Sequence, residues 1–139
     1  MTNQLEEKVE LLEQEIEELK WQILKLSHAK LDDPRYPYSN WLIQHNIYSE
    51  KRRELEYVLS VLNDRILNSP QPPEQYRKEI EGISSQELHN EKAPDFAEVR
   101  DILSKVLGIK EKKVIALLNA LKDEGKFKDL SEKLLDEIY

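Results

Sequence analysis

The chain has 139 residues, of which 39% are hydrophobic and 35% charged, and its net charge at pH 7 is −7. This length supports one modest domain or two small units, and the low content of glycine (3) and proline (6) is typical of long helices. The acidic balance disfavours non-specific binding to nucleic acid or anionic lipid, and the absence of cysteine excludes disulfides and thiolate chemistry.

No targeting or membrane-spanning segment is expected. The N-terminus lacks the basic and apolar regions of a signal peptide. The longest apolar run, residues 114–118, is far shorter than a transmembrane helix requires. We therefore expect a cytoplasmic protein with no membrane contact.

A heptad repeat predicts a helix over residues 3–30 that carries a coiled-coil seam. Leucines recur every seven residues, with β-branched residues every seven between them, at Leu5, Val9, Leu12, Ile16, Leu19, Ile23 and Leu26. β-branched residues at heptad position a with leucine at d favour two parallel strands. In a parallel homodimer Lys8 would face Glu13 of the partner subunit. Glu15 would likewise face Lys20, so the pattern predicts a homo-oligomer, a dimer or larger.

The next part of the chain predicts two more helices. Prolines in residues 32–37 break the first helix. A short helix over residues 38–46 would then bring Tyr38, Trp41 and Leu42 to the core. Ser49 is a candidate N-cap for a helix over residues 50–68, whose apolar face is Leu55, Val58, Leu59, Leu62 and Ile66.

The short connection predicts that this helix packs antiparallel on the first one. Leu11, Trp21 and Leu24 lie outside the heptad seam, and we expect other helices of the chain to cover them.

Residues 69–93 are rich in proline at their start and poor in apolar residues, which indicates a linker with a weak helix near residues 75–81. Beyond it, Asp95 and Glu98 form a capping-box pattern, and Gly108 and Gly125 are placed to end helices. The fold class predicted is therefore all-α: a coiled-coil hairpin over 1–68, a linker over 69–93 and a three-helix unit over 94–139.

The residues at 35–38, followed by 41–43 and the helix near Ser49, resemble the YhaI-like family of small helical proteins from Bacillus-type bacteria. A second similarity runs from Phe96 to Ile138, with its densest part at residues 124–130. The chain differs from that family in its longer charged zipper and in residues 69–93. The resemblance implies an all-helical fold and supplies no catalytic residues, because the family's function is not established.

No pattern of catalytic, cofactor-binding or metal-ligating residues is present. The glutamates of the first helix lack the Glu-x-x-His motifs of di-iron bundles and are interpreted as a solvated acidic face. His28, His45 and His89 lie in three separate segments. None pairs with another histidine at helical spacing, and none sits beside a Ser or Cys in a nucleophile arrangement. We expect no enzymatic activity.

Residues 102–127 have the outline of a helix-turn-helix, which leaves DNA binding open as the alternative. The second helix would be the reading helix, with Lys110, Lys112, Lys113 and Asn119 as candidate contacts. This alternative is weakened by the acidity of the whole chain and the absence of arginine from that helix. Lys51, Arg52 and Arg53 are a second basic cluster, interpreted as a solvated face. The favoured hypothesis is a non-enzymatic helical protein that self-associates through its first helix and binds a protein partner.

Overall fold

The computed structural model describes residues 2–29 and 35–139, and within these ranges the regular elements are helical, with no β-strand. The prediction of an all-α chain is thus confirmed. The helices are α1 (Thr2–Ala29), α2 (Pro37–Gln44), α3 (Ser49–Ile66), α4 (Ser85–Leu88), α5 (Phe96–Leu107), α6 (Glu111–Glu124) and α7 (Lys128–Ile138), with a single 3₁₀ turn at Glu74–Tyr76.

The short helix α2 joins the N-terminal helix to the rest of the molecule. It begins at Pro37, which is tolerated in a first helical turn because that turn needs no N–H donor. Tyr38, Trp41 and Leu42 are buried, as predicted. α2 contacts α1 and packs mainly against α6. Residues 32–34 of the predicted helix break lie outside the described residues.

The apolar face of α3 forms the centre of the core. Leu55, Val58, Leu59 and Leu62 are buried, as the sequence predicts. α3 packs against α5 and α7, so that face is occupied by the C-terminal helices, whereas the principal contact of α1 is with α2. The predicted antiparallel packing of α1 on α3 is therefore not what the structure displays.

The predicted cap of α3 is wrong. Ser49 is the first residue of the helix, Tyr48 occupies the N-cap position, and no side chain bonds to the N-terminal amides. The reason is local: Tyr48 has the extended backbone of a cap residue, and its carbonyl already accepts the N–H groups of Lys51 and Arg52.

The segment 69–93 contributes to the core although its sequence is polar. Ile80, Ile83 and Leu88 are buried in the same apolar cluster as α3 and α5. The weak helix predicted near residues 75–81 is absent apart from the 3₁₀ turn. The short α4 is present instead, with the Ser84 hydroxyl accepting the Glu87 N–H. The division of the chain at 69–93 stays a prediction.

The C-terminal helices begin and end where the sequence predicts. The Asp95 carboxylate accepts the Glu98 N–H at 2.8 Å and caps α5. Gly108 and Gly125 have φ values of 66° and 77°, the left-handed conformation that ends a helix and that glycine adopts without strain. α5, α6 and α7 contact one another. The separate three-helix unit over 94–139 stays a prediction, because α5 and α7 also pack against α3.

Two of these helices are capped by side chains from other helices. α7 starts at a left-handed Phe127 that offers no side-chain cap. The Oδ1 of Asn63 on α3 accepts the Leu130 N–H at 2.9 Å in its place. Similarly, Oε2 of Glu137 on α7 accepts the Phe96 N–H of α5 at 2.8 Å. These bonds fix the helix starts to tertiary neighbours, which a local sequence pattern does not reveal.

Removing the hydrogen bond between Asn63 and the Leu130 N–H should cause a measurable loss of stability. Asn63→Ala should lower the free energy of unfolding by about 1 kcal/mol, the usual cost of losing a helix cap. Asn63→Asp should retain stability, because its carboxylate oxygen can accept the same N–H and is favoured near a helix N-terminus. Urea denaturation of the two variants checks this. Equal stability of the alanine and aspartate variants would contradict the assigned role.

A buried arginine joins α3 to α4, to the loop before α5 and to α5 itself. Arg65 is 1% exposed. Its Nε donates to the Lys92 carbonyl at 2.8 Å, and one terminal nitrogen donates to the carbonyls of Glu87 and Leu88. The other terminal nitrogen lies 2.8 and 2.9 Å from the two Glu98 carboxylate oxygens. Every nitrogen of this guanidinium therefore has at least one acceptor, and we call this group the Arg65 cluster.

Candidate self-association surface

The largest set of exposed apolar side chains lies along α1. The seven heptad residues have exposed fractions between 39% and 65%, and together they define the α1 seam: Leu5, Val9, Leu12, Ile16, Leu19, Ile23 and Leu26. Large apolar side chains exposed in one continuous stripe are typical of an interaction surface. Within a single chain, this surface is left in water.

Helical geometry places the seam on one side of a long rod. α1 has 28 residues, which at 1.5 Å per residue gives a length of about 42 Å. Alternating three- and four-residue steps keep the seam residues on one face as the helix turns. Lys8, Glu13, Glu15 and Lys20 flank this face, and all four are exposed. Lys20 has only a long contact within its own helix, 3.8 Å from Glu17, which is worth little in energy.

The expectation that other helices of the chain cover Leu11 and Trp21 is wrong. Both are more than half exposed, and Leu24 is half-buried. The cause is the orientation of α1, whose principal contact within the chain is with α2. The described part of α1 thus presents its apolar residues to the outside and not to the core.

Only some of the candidate DNA-contact residues are exposed to solvent. Lys110, Lys112 and Lys113 are exposed at the start of α6, but Asn119 is half-buried and its Nδ2 donates to the Ile115 carbonyl at 3.1 Å. α6 itself packs against α2, α5 and α7. These three helices cover part of the surface of α6. A reading helix, in contrast, must enter a DNA groove with its outer face.

No cluster of His, Asp or Glu side chains in the described ranges could hold a metal ion. The His28 side chain lies outside the described residues. His45 is half-buried, stacks on Trp41 with ring centroids 4.2 Å apart, and its Nδ1 lies 2.8 Å from the Trp41 carbonyl. His45 is therefore a hydrogen-bonded, partly exposed histidine.

His89 is the centre of a buried hydrogen-bond network that the sequence analysis missed. Its Nε2 is 2.6 Å from the Tyr57 hydroxyl, which also accepts the Lys78 N–H at 3.0 Å. Its Nδ1 lies 3.1 Å from the Ser85 carbonyl and 3.3 Å from the Ser85 hydroxyl. The Ser85 hydroxyl therefore lies beside the imidazole, a contact that the four-residue spacing of Ser85 and His89 could have indicated.

The geometry around His89 nevertheless indicates a structural role. An imidazole that donates from Nδ1 to the Ser85 carbonyl accepts the Tyr57 O–H at Nε2, so both nitrogens are used in joining α4 to α3. Burial lowers the pKa of His89 below its ordinary value of 6.5, and the charges of Arg77 and Arg65 act in the same direction. The neutral imidazole is the form that this network requires.

The lowered pKa predicts that stability falls in mild acid. Because the unfolded chain binds the proton more tightly than the folded one, this contribution is fully present above pH 6.5 and is lost as the pH falls through the folded pKa. The midpoint of urea denaturation, determined at several pH values between 8 and 5, measures this loss of stability. His89→Gln should reduce the pH dependence of the urea midpoint in this range. An equal pH dependence for wild type and His89→Gln would contradict the prediction.

Comparisons of this chain with protein families, with curated proteins and with solved structures found no match. The resemblance to the YhaI-like family stays a prediction. Within residues 2–29 and 35–139, no helix combines the length and the apolar character that a bilayer span requires.

Proposed function

We propose that this is a non-enzymatic cytoplasmic protein that self-associates through the α1 seam and uses its remaining helices to bind a protein partner. The observation that carries the proposal is the seam itself, seven heptad residues that are 39–65% exposed in the single chain. A second copy of α1 is the simplest occupant, because its own seam has the same spacing and the same need for burial.

The flanking charges support a parallel pairing. In a parallel dimer each position g faces position e of the next heptad in the partner. Lys8 would then face Glu13, and Glu15 would face Lys20. Both pairs are attractive and each occurs twice by symmetry. Exposed pairs of this kind contribute little energy, but they select the orientation of the partner.

A parallel arrangement has a consequence for the rest of the molecule. The helices from α2 onward follow α1 in the chain, so the two copies would lie at the same end of the rod. Two equivalent surfaces side by side can bind a symmetric or repeated partner more tightly than one surface alone. We propose that the group formed by α5, α6 and α7 provides this partner-binding surface.

Sedimentation equilibrium over a range of concentrations tests the association. The expected mass is a multiple of the 16.5 kDa chain mass, with two copies favoured. Leu5→Cys then tests the orientation, because the chain has no other cysteine. Parallel strands should give a spontaneous disulfide, since the two sulfurs meet in the seam. An antiparallel dimer would hold them about 30 Å apart and give none, and a monomer at all concentrations would refute the proposal.

DNA binding is the second candidate, favoured only by the exposed Lys110, Lys112 and Lys113 at the start of α6. Duplex DNA titrated at several salt concentrations distinguishes the two proposals. Binding through phosphate contacts must weaken steeply as salt rises. Absence of binding at low salt would remove this candidate and leave the self-association proposal untouched.

A further inference from the structure

A surface hollow lies between α2 and the first turn of α3, away from the α1 seam. Its volume is about 400 Å³, within the range of small-molecule sites, roughly 300–1,000 Å³. Its lining is mixed, with apolar side chains from Leu42, Ile43, Ile47 and Tyr48 beside the hydroxyls of Ser39 and Ser49. Arg52 and Arg53 line its edge. The hollow thus places apolar side chains next to positive charge in a molecule whose net charge is −7.

The two arginines are poorly neutralised within the chain. Arg53 has no hydrogen bond or ion pair to any residue in the described ranges. Arg52 has a single long contact, 4.0 Å to Oε1 of Glu56, and that oxygen already accepts the Tyr38 hydroxyl at 3.3 Å. By comparison, the adjacent Lys51 is paired at 3.4 Å with Glu54. Two guanidinium groups therefore keep most of their donors free at the edge of one hollow.

We propose that this hollow binds a small amphipathic carboxylate, such as a medium-chain fatty acid. A guanidinium presents two parallel N–H groups that match the two oxygens of a carboxylate. Arg53, with Arg52 beside it, binds the carboxylate, and the alkyl chain lies on Ile43 and Tyr48, the two apolar lining residues that are only half-buried. The volume sets a limit on the ligand, because a chain much longer than the hollow would extend into water. This inference does not depend on association through α1.

The choice of ligand tests both parts of the site. In titrations followed by backbone amide NMR spectra, octanoate should shift the amides around Ile43, Ile47 and Tyr48. Hexanoate should bind about tenfold more weakly, because two fewer methylene groups are buried. Octan-1-ol has the same alkyl chain without the charge and should bind at least about tenfold more weakly than octanoate. Equal binding of the acid and the alcohol would overturn the proposal.

Matched variants test the arginines. Arg53→Gln should weaken octanoate binding by about tenfold or more, and its exposed position makes a folding defect unexpected. Lys51→Gln removes a neighbouring charge that does not line the hollow and should change the affinity by less than about twofold. Equal effects of the two substitutions would show a general charge effect and overturn the site. Octanoate would also overturn the proposed site if it shifted amide resonances along α1 and none in α2.

Discussion

Replacing Ile16 and Leu19 with lysine should convert the protein to a monomer. Both residues lie in the middle of the α1 seam, and both are at least half exposed in the single chain. Burying an apolar side chain of this size contributes about 1.5–3 kcal/mol, and a dimer loses four of them. The dissociation constant should therefore rise by about 10⁴-fold or more. Light scattering at a fixed concentration measures the change as a fall in mass to that of one chain.

The double substitution Leu11→Lys with Gln14→Lys is the matched control. It introduces the same two charges at the same three-residue spacing, and it removes an exposed apolar side chain from α1 outside the seam. This variant should keep the wild-type mass. If both variants dissociate, charge on α1 is the cause and the seam is not the interface. If neither dissociates, the chains associate through another surface or not at all.

The seam variant should also lose helix content. An isolated helix without tertiary packing is marginal in water even at the length of α1. The helices from α2 onward are held by a buried core and should stay folded. Far-ultraviolet circular dichroism should therefore fall by part of its amplitude, while the thermal transition of the core persists. Loss of the whole signal would show that the core itself requires association.

Local sequence patterns predicted much of the secondary structure. The heptad repeat predicted α1, and Asp95, Gly108 and Gly125 predicted the ends of α5 and α6, because capping depends on residues a few positions apart. The exception was Ser49, where a backbone carbonyl took the role expected of its hydroxyl. Contacts between distant segments were not predictable in this way. The packing of α3 against α5 and α7 instead of α1 is one of them.

The candidate surface was more predictable than its surroundings. The seam follows from heptad spacing alone, so the sequence is sufficient to identify its residues. The roles of Arg65, His89 and Asn63 are not accessible in this way, because each bonds to a group more than twenty residues away in the chain. From the sequence, Glu98 is predicted to form one half of a capping box with Asp95. In the structure its carboxylate pairs with Arg65, and only the Asp95 half of the box is formed.

Removing the Arg65 side chain should produce the largest loss of folding stability. Arg65→Met keeps the apolar part of the side chain but leaves Glu98 without its partner, and the carbonyls of Leu88 and Lys92 lose the guanidinium donor. Breaking a buried ion pair from one side costs about 3–5 kcal/mol, a large fraction of the stability of a domain this size. Urea denaturation should show a midpoint far below that of wild type.

Arg100→Met provides the matched control for this prediction. Arg100 lies on α5 and pairs at 3.2 Å with Asp101, the next residue, at the surface. Its loss should change stability by no more than about 0.5 kcal/mol. Adding Glu98→Gln to Arg65→Met should recover part of the loss, because the unpaired charge is removed. If Arg65→Met is as stable as Arg100→Met, the buried guanidinium does not hold α3, α4 and α5 together, and their packing must rest on the apolar contacts alone.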